Sequence, residues 1–285
     1  MENILLENLY ILKKQDLIES AFRDILNGVN IDASLKKIEK FLLTEFNVKS
    51  TVTMYDSINK NYFFGMRIWP SKEESERIAL EIVKNKTDLK FIRCENVDIE
   101  IDSKLIDSKG MKFNEKELTA ILIHEIGHKV FSNKAIEEYG NLYRRQVIGG
   151  VGTVIAWASG PMAVLNVFVV FAIIGLFIAI SAIDESLTAR KVEEMADSLA
   201  VKYGYGMHLE SALEKIQKHF YGLPKKGNNK DFLSQFTIWV SNNTTDIGIR
   251  RKYILEVLKK EQESCDSEVE KKMLETQIRR ISMKL

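Results

Sequence analysis

Cysteine is almost missing from this chain: its 285 residues include only two, Cys94 and Cys265. They lie far apart and in no C-x-x-C spacing, so neither a disulfide framework nor a cysteine metal site is expected, and a reducing compartment fits. Charge of one sign is missing as well. Lys and Arg total 41 against 40 Asp and Glu, a net charge of +1. Such a balance supplies no global field for gathering nucleic acid or acidic substrates, and a polyanion partner finds no support in it. The first sixteen residues carry acidic side chains early and no uninterrupted apolar core. They are not expected to be a secretory signal. Internal repeats and low-complexity segments are absent too. What remains is a chain that is 45% hydrophobic, enough for one large domain or two small ones with a substantial core.

Apolar residues at helical spacing predict an amphipathic helix from about Glu2 to Asn27, closed by Gly28, and a second from Ser34 to Phe46. Val48 to Tyr55 and Tyr62 to Trp69 are rich in β-branched and aromatic residues around the polar Asp56–Asn61 turn, which predicts a hairpin. Pro70 stops it, Ser71 can cap a helix over Lys72–Asn85, and Leu89 to Ile101 returns to strand-like alternation. Residues 1–110 therefore read as N-terminal helices plus a small α/β unit. Asn114 followed by Glu117 makes a capping box for a helix from Glu115 to about Phe131. Helices are expected again over Asp184–Tyr203 and Leu209–Phe220, a loop over Leu223–Asn229, and two or three helices up to Leu285.

The helix after Asn114 carries His124-Glu125-Ile126-Gly127-His128, an H-E-x-x-H match behind an apolar approach. At 3.6 residues per turn, positions i and i+4 project from one face, so both imidazoles can reach one zinc ion at about 2.0–2.1 Å. Glu125 lies about 100° round the helix and can address a zinc-activated water instead of the metal. Chance placement is a poor account, because the chain has only four histidines. A catalytic zinc needs a third protein ligand and an open position. The extended motif with a third histidine fails here, since Phe131 and Lys134 stand where Gly and His are required. A carboxylate is expected instead. The helix Glu185–Tyr203 offers Glu193 and Asp197 four residues apart, with Arg190 three residues before Glu193. One can bind the metal while the other accepts from a ligand histidine N–H, but solvated helices are full of such pairs.

Arg190-Lys191-Val192-Glu193-Glu194-Met195-Ala196-Asp197-Ser198-Leu199-Ala200, then Tyr203-Gly204-Tyr205 and Ser211-Ala212-Leu213, resembles the second signature of M48-type peptidases, the HtpX and CAAX prenyl protease group. The resemblance covers residues 114 to 215. It implies a gluzincin fold with zinc on His124, His128 and Glu193, Glu125 as general base and Asp197 as the supporting acid. Two departures stand out: Ala189 replaces the usual Ser, and the family's T-H-P…R element is reduced to Thr245-Asp246 and Arg250-Arg251. The group stabilising the transition state is therefore left open, with Tyr203, Tyr205 and His208 as candidates.

Residues 147 to 183 carry no charged side chain. So long an apolar run favours a membrane segment over a helical pair buried in protein. His128 precedes it and Glu193 follows it, so ligands sharing one ion require an even number of crossings. A tight hairpin fits, with Arg144-Arg145 and Arg190-Lys191 on the cytoplasmic side. Membrane helices between the two zinc motifs are also what the resemblance implies.

The expected protein is α+β and mainly helical. A zincin-type metallopeptidase core over 111–221 carries the apolar hairpin, with the α/β unit before it and C-terminal helices over 222–285. Its expected function is zinc-dependent hydrolysis of peptide bonds in protein substrates at a membrane surface, with one zinc per chain. An edge strand, Val97 to Ile101, would align the substrate by strand addition. Two alternatives stay open: a non-catalytic member of a larger assembly such as a virion, against which the intact Glu125 argues, and a soluble zinc peptidase whose apolar pair mediates assembly.

Overall fold

A computed structural model describes residues 15–55, 66–85, 95–107, 112–158, 167–220 and 247–285. The expected loop over 223–229, Cys94 and the Thr245-Asp246 pair lie outside them.

The N-terminal unit begins with α1, helical over 15–26 in the described chain. Its stripe of Ile18, Ala21, Phe22 and Ile25 is buried at the i, i+3, i+4, i+7 spacing of one helix face. Helix α2 (Ile31–Phe46) packs Leu35, Ile38, Phe41 and Leu42 into the same core. Three strands follow, β1 (Lys49–Tyr55), β2 (Met66–Pro70) and β3 (Asn96–Asp102), with α3 (Lys72–Asn85) between the last two and the short α4 (Lys104–Asp107) after them.

The sheet order is β1-β3-β2, so the expected β1–β2 hairpin does not form. Strand β3 enters between the two, parallel to β1 and antiparallel to β2, with Ile99 beside both Val52 and Ile68. The physical reason lies in β3 itself. Val97, Ile99 and Ile101 are the most deeply buried apolar residues of the sheet, and a central position satisfies the backbone on both edges of a strand held inside the core. The length of α3 lets the chain come back to that slot. A second expectation falls with the first: Val97–Ile101 cannot be a free edge for substrate, because both its edges are paired.

Helix α5 (Glu115–Val130) is the centre of the molecule. Its capping box is in place, with the Asn114 side chain accepting from Glu117 N–H and the Glu117 carboxylate accepting from Asn114 N–H, both at 2.9 Å. Leu118, Ala120, Ile121, Leu122, Ile123 and Ile126 are buried, which makes the helix apolar almost all round, as expected of one enclosed on several sides. It packs against β2, α6 (Ser132–Ala158), α7 (Val167–Lys202) and α8 (Gly206–Phe220). Helix α9 (Ile247–Ser264) closes over α7 and α8, and α10 (Glu268–Ser282) covers α8 and α9.

Helices α6 and α7 run antiparallel. Glu138 meets Lys191 at 3.4 Å, Arg145 grips Asp184 with two bonds of 2.8 and 2.9 Å, and Gln146 donates to the Ser181 carbonyl at 3.4 Å. Residues 159–166, between the two helices, lie outside the described residues. Among the described residues no helix is long and apolar enough to cross a membrane. The expected span over 147–183 therefore finds no support there. The architecture is α+β, mainly helical, with one small three-stranded sheet.

Candidate metal centre

Helices α5 and α7 cross unusually closely, and a glycine permits it. A Cβ on Gly127 would lie 2.7 Å from Ala196 Cα and 2.9 Å from its carbonyl oxygen, closer than any side chain can sit. The pairing of Gly127 in one motif with Ala196 in the other thus sets the distance between the two helices. It brings residues some 65 positions apart in sequence onto one point.

At that point His124, His128 and Glu193 gather their ligand atoms within 4.8 Å of one another. His124 Nε2 is 3.4 Å from one Glu193 oxygen, and His128 Nε2 is 3.5 Å from the other. Zinc bonds of about 2.0–2.1 Å in a tetrahedron put ligand atoms roughly 3.3–3.5 Å apart, so these spacings suit the ion. His124 is turned by Asp197, whose Oδ1 accepts from Nδ1 at 2.8 Å and leaves Nε2 aimed at Glu193.

Asp197 is fully buried, and Arg250 on α9 holds it in place. The guanidinium spans both carboxylate oxygens, with Nε 2.9 Å from Oδ2, and also lies 3.4 Å from Glu193. In the metal-free protein the two carboxylates share Arg250 and the proton of His124, so a dication taking the place of that proton would keep both carboxylates paired.

The titration of the metal-free cluster follows from these contacts. Burial lowers the affinity of His124 for its proton, but hydrogen bonds to Asp197 and Glu193 outweigh it and raise the pKa to about 10. For His128, burial and the neighbouring His124 charge push the value down to about 4. Burial opposes ionisation of Glu193, yet the bond from His124 and the nearby cations bring it to about 2. Asp197 is likewise lowered by Arg250 and His124 against the cost of burial. Glu125 moves the other way: burial, helped by the Glu193 charge, raises it to about 7. A carboxyl poised near neutrality is what proton transfer at pH 7 asks for.

A cavity of about 340 Å³ opens over the cluster, lined by His124, Glu125, His128, Glu193 and Arg250. Leu209, Leu213 and Ile216 of α8 form an apolar wall, and Tyr139 of α6 and Gln217 of α8 add neutral polar groups. Sequence reasoning passed over Tyr139, which stands in no motif. It left Arg250 and Arg251 undifferentiated, although consecutive helical residues point about 100° apart. Arg250 turns to the centre, whereas Arg251 bonds Glu210 at 2.8 Å.

The three candidates for transition-state stabilisation lie elsewhere. The Tyr203 ring packs on Phe46 at 5.1 Å between centroids, and its carbonyl accepts from Gln15. Tyr205 is buried and donates to Glu19 at 2.8 Å. His208 lines a separate cavity of about 410 Å³ with Asn114, Glu117 and Arg280. The reason is axial distance. Ten residues separate Glu193 from Tyr203, a rise of roughly 15 Å along α7. Gly204, at φ +81°, then turns the chain away, a conformation that costs glycine little.

The model for peptidase family M48 matches residues 91–259, more than half of the chain, and takes in every residue that forms this centre, from His124 to Arg250. The chain belongs to peptidase family M48. M48 peptidases are zinc-dependent metallopeptidases, and the donor set here fits that ion. No curated protein and no solved structure matches the chain.

Proposed function

We propose that this M48 peptidase is a zinc endopeptidase that holds its ion on His124, His128 and Glu193 and uses Glu125 as general base. One observation carries the proposal: two imidazole nitrogens and a carboxylate converge, each nitrogen 3.4–3.5 Å from a Glu193 oxygen and the three ligand atoms within 4.8 Å of one another, with Glu125 lining the same cavity. The ion, when bound, supplies Lewis acidity, acidifying a water and polarising a carbonyl. Glu125 takes the water's proton as its oxygen attacks the peptide carbonyl carbon, and returns it to the leaving amine. Asp197 keeps His124 in the ligating tautomer, and Arg250 keeps Asp197 ionised in a buried position. Substrate would lie extended along β2, the edge strand that packs against α5, with its main chain adding to the sheet. Metal analysis together with cleavage of casein, on wild type and Glu125→Gln, tests this reading. A protein that takes up no zinc, or a Glu125→Gln variant as fast as wild type, would sink it.

The site is further proposed to work at the cytoplasmic face of a membrane, anchored through the α6–α7 pair. Support comes from the uncharged run 147–183 and from large apolar side chains left exposed on both helices, including Ile148, Val151, Leu176, Ile178 and Ile180. Release of the whole chain into the supernatant by alkaline carbonate would refute the anchor while leaving the peptidase reading intact.

A further inference from the structure

Peptide hydrolysis piles negative charge on the carbonyl oxygen, and a fixed hydrogen-bond donor aimed at that oxygen is worth most in the transition state. Tyr203, Tyr205 and His208 do not reach the cavity. Among the polar side chains that line it, His124, His128 and Glu193 are ligand donors, Glu125 handles the proton, and Arg250 is engaged by two carboxylates. Tyr139 and Gln217 are left.

We propose that Tyr139 is a catalytic residue whose phenolic O–H donates to the oxygen of the scissile carbonyl as charge builds there. The inference rests on the peptidase reading above and names a residue that neither motif contains.

Register and side-chain direction favour Tyr139. The Glu138–Lys191 and Arg145–Asp184 ion pairs fix α6 antiparallel against α7, so that residue 136 of α6 stands level with Glu193. Tyr139 sits three positions on, a rise of roughly 4.5 Å. Helical side chains lean towards the N-terminus of their own helix, which carries the ring of Tyr139 back to the level of Glu193. Tyr139 is 41% exposed and lines the cavity, so an incoming peptide can reach it. A phenol, with an ordinary pKa of about 10, keeps its proton and remains a donor throughout the neutral range. Gln217 stands near the end of α8, next to Ile216 of the apolar wall.

The bonds balance without any further reactant. The water oxygen bonds to the carbonyl carbon, the C=O π pair moves to oxygen, and the water's proton goes to Glu125. Tyr139 keeps its own proton and only shares it. On collapse the oxygen pair re-forms C=O, the C–N bond breaks with its pair on nitrogen, and that nitrogen takes the proton from Glu125.

The test compares wild type, Tyr139→Phe and Gln217→Ala as zinc-loaded proteins. Tyr139→Phe is expected to lose about 10²-fold in kcat on a fluorogenic peptide, with KM and zinc content nearly unchanged. Its affinity for a phosphinic peptide, which mimics the tetrahedral centre, should fall by a similar factor in calorimetry, while Gln217→Ala stays within about threefold of wild type in both. A Tyr139→Phe kcat within about threefold of wild type, or a loss confined to KM, would overturn the assignment. Failure of the peptidase reading shows separately, as wild type that cleaves nothing. The phosphinic arm still decides Tyr139 in that case, since equal binding by wild type and Tyr139→Phe rejects it.

Discussion

The cavity at the metal centre and the one beside the C-terminus both contain buried acids and bases, but they balance charge in different ways. In the C-terminal cavity the acids are met by lysine and arginine side chains. Glu117 is held by Lys215 at 2.6 Å and Ser211 at 2.7 Å, and Glu210 is met by Arg251 and by Lys284 at 2.8 Å. At the metal centre, Glu193 and Asp197 share Arg250, and three ligand atoms converge. The C-terminal cavity is the larger of the two, at about 410 Å³ against about 340 Å³. Size and buried charge therefore fail to separate a candidate reaction centre from a structural ion-pair network; the convergence of ligand atoms does separate them.

The largest expected effect that sharpens this contrast comes from Glu125→Gln, which should lower kcat by about 10²–10⁴-fold with zinc retained. Glu193→Ala should instead lose the metal, with zinc affinity falling by well over about 100-fold, because it removes a ligand and not a supporting group. Equal zinc contents in the two variants by elemental analysis would erase the division of roles.

Gly127→Ala tests how the convergence is built. The added methyl meets the α7 backbone at Ala196, so the helices must part. Overpacking of this kind costs about 1–3 kcal/mol, and a urea midpoint unchanged from wild type would show that the close crossing is not required.

Protonation offers a finer discrimination. In the metal-free protein the His124 pKa of about 10 exceeds its ordinary 6.5, so its proton stabilises the fold fully below pH 6.5 and progressively less as pH rises through about 10. Zinc must displace that proton. Apparent zinc affinity is therefore expected to rise about tenfold per pH unit between pH 7 and 9, in competition with a fluorescent chelator. A flat profile would mean that His124 is already neutral.

The smallest effect belongs to the other cavity: His208→Gln should leave kcat/KM within about twofold of wild type. A loss as large as that from Glu125→Gln would make the two cavities one functional unit.

Local structure around the centre was legible because it is written in short-range chemistry. Asn114 and Glu117 cap α5 as their spacing predicts, and His124 and His128 share a face because 3.6 residues make a turn. Glu193 was reachable only through the resemblance of its surrounding signature, since an isolated Glu-x-x-x-Asp pattern is commonplace on solvated helices.

Strand order, the fate of the tyrosines and the identity of the site arginine depended on long-range contacts. The strand runs before and after Asp56–Asn61 are compatible with a hairpin; only the burial of Val97, Ile99 and Ile101 makes β3 the strand between them. Tyr203 and Tyr205 follow the second motif closely in sequence yet sit about three helical turns from Glu193, whereas Tyr139, outside any motif, reaches the cavity because ion pairs fix α6 against α7. By itself the sequence determined helix α5 and the His124–His128 pair on its face, because caps and helical periodicity act within a few residues. Tertiary packing alone decided which of the remaining polar groups face that zinc site, because such groups are brought together only by helices crossing at Gly127 and Ala196 and by an arginine arriving from α9.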